Sequence, residues 1–152
     1  MLERDEDIIL KTTARILSPL IQLMGLYVYA HGHISPGGGF QGGCIFAASF
    51  ILMAIVLGVD EVIKRIKYRL FLVTVGFGAF LYAFLGLISV PIGGEFLNYA
   101  YLKKIFMSCE VMARYYAIAV VELGVQITVT GSMFAIFYYL AAKGNSRGSN
   151  SF

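Results

Sequence analysis

Four stretches of this chain stay apolar for fifteen residues or longer: 16–30, 43–59, 70–92 and 118–142. About 20 such residues carry a helix across a bilayer. The third and fourth stretches meet that length and the second sits at its lower limit. The first reaches it when its helix starts near Ile8. A chain of 152 residues, 59% hydrophobic and 14% charged, cannot hide this much apolar surface in a soluble core. The expectation is an all-α integral membrane protein: one domain, a bundle of four transmembrane helices, with a glycine-rich loop between the first two.

Around the apolar runs the chain divides into three parts. Residues 1–15 form an amphipathic lead-in whose Lys11 and Arg15 can snorkel to the interface. Residues 16–142 form the four-helix membrane region, with Pro19 kinking the first helix and Tyr27 and Tyr29 at its far interface. Residues 143–152 are small and polar and read as a disordered tail. The segment 95–116 reads as a loop leading into an interfacial helical turn, where Glu110 and Arg114 are spaced i, i+4 to form a surface pair. The amino terminus is acidic where a cleaved signal would be basic.

Charge distribution sets the expected topology. Nine of the Lys and Arg residues fall on the side shared by the amino terminus, the 60–69 loop and the tail, against three on the other. The positive-inside rule then places both termini in the cytoplasm of a multi-pass cell-membrane protein, with the glycine segment facing outward. A net charge of +3 without a basic block argues against nucleic acid as a partner. The two cysteines, Cys44 and Cys109, offer no metal-ligand spacing and read as free thiols, a single disulfide being the minor alternative.

Residues 31–43, HGHISPGGGFQGG, hold six glycines: Gly32, Gly37, Gly38, Gly39, Gly42 and Gly43. Glycine costs a helix about 1 kcal/mol per position and Pro36 about 3, so no helix is expected to run through this segment. Flexible linkers are usually padded with serine or charge, and this segment is not. It reads as a tightly packed, specifically bent backbone. His31 and His33 lack the further Cys or carboxylate that a metal site needs, and fit better as braces on backbone carbonyls. No nucleotide loop follows Gly37–Gly39, because the Lys-Ser/Thr pair is missing.

Glu122 stands inside the fourth apolar run. A carboxylate at a helix centre costs about 2.5–3.5 kcal/mol, so it must be paired, protonated or in touch with water. Gln126 and Thr130 follow at one-turn spacing on the same face. That stripe suits a cation or proton route, and it equally suits a buried acid bonded to a neighbouring helix. Ser18, Gln22, Gly25 and Tyr29 form a weaker stripe on the first helix, suited to interhelical hydrogen bonds. Small residues also recur at helical spacing: Gly43, Ala47, Ala54 and Gly58; Ala79, Ala83 and Gly86; Gly124, Thr128, Gly131 and Ala135. In lipid such stripes admit close helix approach. No catalytic triad and no haem or iron–sulfur pattern is present, so neither enzyme activity nor a cofactor or metal is expected.

The stretch from Asp7 to Gly43 closely resembles the amino-terminal region of the B subunit of Mrp-type multisubunit sodium/proton antiporters. The family signature Gly-His-x-x-Pro-Gly-Gly-Gly-Phe-x-Gly-Gly is matched in register by Gly32, His33, Pro36, Gly37, Gly38, Gly39, Phe40, Gly42 and Gly43. The later run VELGVQITVTG is similar to an acidic-x-Gly-Val…Gly pattern in which Asp is more usual, and Glu122 stands in for it. The resemblance implies a non-catalytic four-helix subunit that works beside other membrane subunits in exchanging sodium for protons. Relatives also occur in the ion-translocating arm of archaeal membrane-bound hydrogenase-type complexes. The main rival is a pure scaffold that braces its neighbours without touching ions.

Overall fold

The computed structural model describes residues 2–32, 36–65, 68–88, 90–91, 96 and 110–148. Five helices account for nearly all of them: α1 (Leu2–Ala30), α2 (Gly39–Leu57), α3 (Val59–Arg65), α4 (Tyr68–Ile88) and α5 (Glu110–Gly148). Three segments, Gly39–Leu57, Arg69–Ile88 and Arg114–Ala142, are long and apolar enough to cross a membrane. The sequence led us to expect four. At 29 residues α1 is long enough, about 43 Å at helical rise, but Arg15, Ser18, Pro19 and Gln22 dilute its apolar half.

Helix boundaries depart from expectation in a consistent direction. α1 starts at Leu2, so that the amphipathic lead-in and the first apolar run form one helix, which continues through Pro19 as expected. α2 starts at Gly39, inside the glycine segment that was expected to be non-helical. α5 begins at Glu110, within the expected loop, and continues through Gly148, beyond the expected end at Ala142. The polar stretch after the second run forms the short helix α3 after a turn at Gly58, whose φ of +91° favours glycine. Propensity alone set the expected ends; packing along each helix overrides it.

α1 packs on α2, α2 on α5, and α5 on α4, whereas α1 and α4 do not pack on each other. Contacts along each pair give the directions. Gly25 meets Gly42 while Ser18 meets Ser49, so α1 and α2 run antiparallel. Gly39 lies on Glu122 and Gly43 on Gln126, so α2 and α5 run parallel. Gly78 meets Gly124 while Phe71 lies beside Gly131, so α4 opposes α5.

The two ends of this row are built differently. Away from the glycine segment, Phe134 is fully buried and stacks on Phe71 with ring centroids 4.2 Å apart. Phe50 closes on both rings edge-on, and Val62 of α3 and Ala54 complete the cluster. Edge-to-face and stacked pairs add about 0.5–1.5 kcal/mol each beyond area burial. At the other end the helices meet backbone to backbone through glycines. Outward faces carry exposed Leu20, Leu23, Phe77, Phe80 and Phe84, a surface suited to lipid or to neighbouring chains.

The small-residue stripes divide on inspection. Gly43, Ala47 and Ala54 of α2 are buried, as are Gly124 and Gly131 of α5. On α4 Gly86 is buried, but Ala79 and Ala83 are exposed, and the position pressed against α5 is Gly78. Gly78 lies in one row with Phe71 and Thr74, and that row faces α5. Replacing Phe134 by Ala should remove the centre of the aromatic cluster and lower unfolding free energy in detergent by about 3–5 kcal/mol. A reversible unfolding titration of the purified chain checks this.

Candidate functional site

Glycine builds this site by leaving side chains out. At the end of α1 the chain turns back on itself: the His31 amide donates to the Tyr27 carbonyl at 3.1 Å and the Gly32 amide to Tyr29 at 3.1 Å. Beyond Pro36, which is exposed, the Gly38 amide donates to Val28 at 3.4 Å. A Cβ at Gly37 would stand 2.9 Å from that same carbonyl. Gly38 then adopts a φ of +121° and caps α2, with no side-chain cap on the helix. This backbone angle is open to glycine and strained for other residues.

From Gly38 onward α2 lies against α5 so closely that no side chain fits between them. A Cβ on Gly39 would run into the Glu122 carbonyl. One on Gly42 would stand 2.8 Å from the Gly25 carbonyl of α1, and one on Gly43 2.9 Å from the Gln126 carbonyl. These approaches explain why α2 is helical from Gly39 despite poor propensity. The close contact is regained as dispersion along three backbones, and two hydroxyls reinforce it. Thr130 Oγ1 lies 2.7 Å from the Gln126 carbonyl and 3.2 Å from that of Gly43, and Ser18 donates to Ser49 at 3.3 Å.

The Glu122 carboxylate comes to rest over the glycine turn. A Cβ at Gly32 would lie 3.1 Å from its Oε2, and one at Gly38 would lie 3.6 Å from its Oε1. The half-buried acid thus faces the uncapped amino terminus of α2, where the helix dipole amounts to about half a positive charge. Its other side lines a cavity of about 290 Å3 shared with Tyr29, Ala30, Tyr115, Ile118 and Ala119. Tyr29 spans that cavity's wall, its hydroxyl donating to the Ala119 carbonyl at 2.9 Å.

The residues singled out from sequence therefore fall into distinct positions. Gly32, Gly38 and Gly39 gather around Glu122, and Gly42 and Gly43 around Gln126. Gln126 is only 4% exposed, and its Oε1 has no hydrogen-bond partner. Thr130 is engaged by backbone carbonyls. His31 braces the turn: with Nδ1 protonated it donates to Tyr27 at 3.0 Å, and its ring lies 4.1 Å from the Tyr27 ring. Phe40 points outward and is 59% exposed. His33 and Cys109 lie outside the described residues, as do most of 95–109 and the side chain of Glu110, while Cys44 is a free thiol. No three His, Cys, Asp or Glu side chains converge among the described residues as a metal site would require. Sequence spacing did not bring Tyr115 or Ala119 to the acid. Their offsets from Glu122 on α5, one turn for Ala119 and two for Tyr115, were the available signal.

Fold and site together define a helical protein of multi-pass membrane type, with three helices long and apolar enough to cross a membrane, in which Glu122 of α5 lies against a glycine turn. The chain belongs to the family described as "Domain related to MnhB subunit of Na+/H+ antiporter", which matches residues 9–135. It is 30% identical over 142 residues to a Staphylococcus haemolyticus protein named "Putative antiporter subunit mnhB2", covering 91% of this chain and 96% of that one. A Staphylococcus aureus (strain Newman) protein of the same name is 29% identical over 140 residues, with the same coverage. Relatives of this chain are thus named as transporter subunits rather than enzymes.

Two alanine substitutions separate packing from propensity. Gly39→Ala should cost about 1–3 kcal/mol, because the α5 backbone has to move to admit a methyl group. Gly76→Ala, at a helical position with nothing within 4 Å, should be neutral or stabilising by up to about 1 kcal/mol. Thermal unfolding of both variants in one detergent tests the contrast.

Proposed function

We propose that this chain is a non-catalytic membrane subunit of a multisubunit monovalent cation, sodium, and proton antiporter module, in which Glu122 helps to form a cation or proton path. In this reading α1 is a fourth crossing helix. Both termini are cytoplasmic, and the glycine turn and Glu122 lie toward the outer face. Other membrane subunits and lipid surround the bundle, and sodium ions and protons are its cargo. Supporting the reading is one observation above others: a carboxylate within an apolar helix, facing both the amino terminus of α2 and a cavity. The cavity supplies room for a hydrated ion or a proton carrier beside the acid.

Gln126 and Thr130, expected to continue the path, are better suited here to holding the seam that positions the acid. Thr130 is committed to two backbone carbonyls and Gln126 is buried beneath Gly42. The same observations favour a second reading, in which the subunit is a scaffold and Glu122 caps α2 without touching ions. A parent complex of stand-alone antiporter type and one of hydrogenase type differ in the chains that would purify with this one.

Glu122→Gln in the assembled complex should lower sodium-dependent proton exchange in inverted vesicles about tenfold or more while leaving assembly intact, and Glu122→Asp should retain part of it. Unchanged exchange in Glu122→Gln would remove the acid from the path and favour the scaffold. Topology is tested separately: single cysteines near residues 4 and 147 should react with an impermeant maleimide only from the cytoplasmic side. Labelling of one terminus from each side would limit the crossings to an odd number.

A further inference from the structure

Tyr29 stands where three helices meet. It lies at the end of α1, and a Cβ added to Gly42 of α2 would stand 3.3 Å from its own Cβ. Its hydroxyl donates to the Ala119 carbonyl of α5 at 2.9 Å. Because Gly42 has no side chain, the tyrosine can sit close on α2 and still reach the helix beyond it. Elsewhere α1 meets α5 only lightly, since α2 packs between them. At this level the distance from α1 to α5 is therefore spanned by one tyrosine side chain.

That span bounds the cavity beside Glu122. Among the described residues its lining comes from α1 and α5 alone: Tyr29 and Ala30 from the first, Tyr115, Ile118, Ala119 and Glu122 from the second. Tyr115 and Ile118 are 42% and 46% exposed and form the cavity's rim, whereas Glu122 is half-buried. A carboxylate and two phenol rings, with no basic side chain among these residues, make a lining suited to a cation. Ala119, where the hydroxyl is tied, precedes Glu122 by about one turn of α5, so the tie lies beside the acid.

Such a tie holds well in lipid. A hydroxyl in the hydrocarbon region keeps its acceptor, because no water is there to replace it. The Ala119 carbonyl depends on the tie less, since the helical bond from the Leu123 amide already engages it. Tyr29→Phe thus unties the two helices without orphaning a backbone group. We infer that Tyr29 is a positioning residue for Glu122, a strut from α1 to α5 that sets the aperture through which a monovalent cation reaches the acid. The role in transport rests on Glu122 carrying ions, whereas the aperture itself does not.

The test uses Glu122→Cys in the tagged chain, with Cys44→Ala and Cys109→Ala, expressed and purified with its whole complex. Two cationic thiol reagents are applied, methanethiosulfonate ethylammonium and its bulkier trimethylammonium analogue. Modification of the peptide containing residue 122 is timed by mass spectrometry. Tyr29→Phe should speed modification about threefold to tenfold, the range one hydrogen bond supplies. Tyr29→Ala should speed it further, with the larger gain for the bulkier reagent. Gly76→Cys, at an open position on α4, should react at one rate whatever stands at position 29. Equal rates at position 122 with and without the Tyr29 hydroxyl overturn the inference. So does a parallel rise at position 76, which is the sign of general loosening. If Glu122→Cys prevents recovery of the complex, Ala119→Cys on the same cavity reports instead, and if Tyr29→Ala is poorly recovered, Tyr29→Phe decides. With Glu122 intact, Tyr29→Ala should raise potassium-dependent relative to sodium-dependent exchange about threefold, and an unchanged ratio overturns the role in admitting ions. Exchange by Glu122→Gln tests the ion path on its own, so that reading can fail while the aperture stands.

Discussion

Close approach of two backbones, α2 at Gly39–Gly43 and α5 at Glu122–Gln126, sets the geometry on which the other features depend. In water, helices associate by burying apolar side chains. In lipid that drive is absent, and association relies on dispersion between closely fitted surfaces and on interhelical hydrogen bonds. Glycine removes the standoff a Cβ would impose, so the carbonyls of one helix come into direct contact with the Cα atoms of the other. The same device recurs where Gly42 meets Gly25 of α1 and where Gly78 meets Gly124 at the α4 interface. Helix propensity opposes glycine by about 1 kcal/mol per position, and the packing outweighs it.

That seam also explains why an acid can be placed inside an apolar helix at all. A side chain at Gly32 would press on the Gly38 backbone and crowd the carboxylate. Without one, Glu122 reaches the uncapped end of α2, whose unsatisfied amides carry partial positive charge. One run of glycines therefore does two jobs: it lets α2 begin where it does and leaves its amino terminus open to the acid. A capping Ser or Asp at position 38 would satisfy those amides locally and compete with Glu122 for them.

The bundle is graded from one end to the other. Interlocked rings of Phe50, Phe71 and Phe134 hold the end near α3, where dispersion is dense. At the glycine end polar atoms cluster, a cavity opens beside Glu122, and the α1–α5 contact includes the Tyr29 hydroxyl on Ala119. Adjacent helices with several interlocked aromatic contacts resist separation more than helices joined through a few hydrogen bonds. Any conformational adjustment is therefore easier at the glycine end.

Much of this was readable from residue order. Hydropathy and length alone marked α2, α4 and α5 as membrane helices, because about 20 apolar residues have few other uses. The signature from Gly32 to Gly43 and the acid at Glu122 identified the family and the two halves of the site. Helix ends were less legible: α2 begins at Gly39 because α5 covers it, and no local propensity reports a neighbour 83 residues away in sequence. Spacing likewise marked Ala79, Ala83 and Gly86 on α4, and the rotation of the helix buries Gly86 and presents Gly78, rather than the two alanines, to α5. The sequence by itself determined that the chain is a set of apolar helices with one acid and one glycine turn, since composition and period are local properties. Only the tertiary structure decided that turn and acid meet, because contact between α2 and α5 depends on how backbones fit across the bundle.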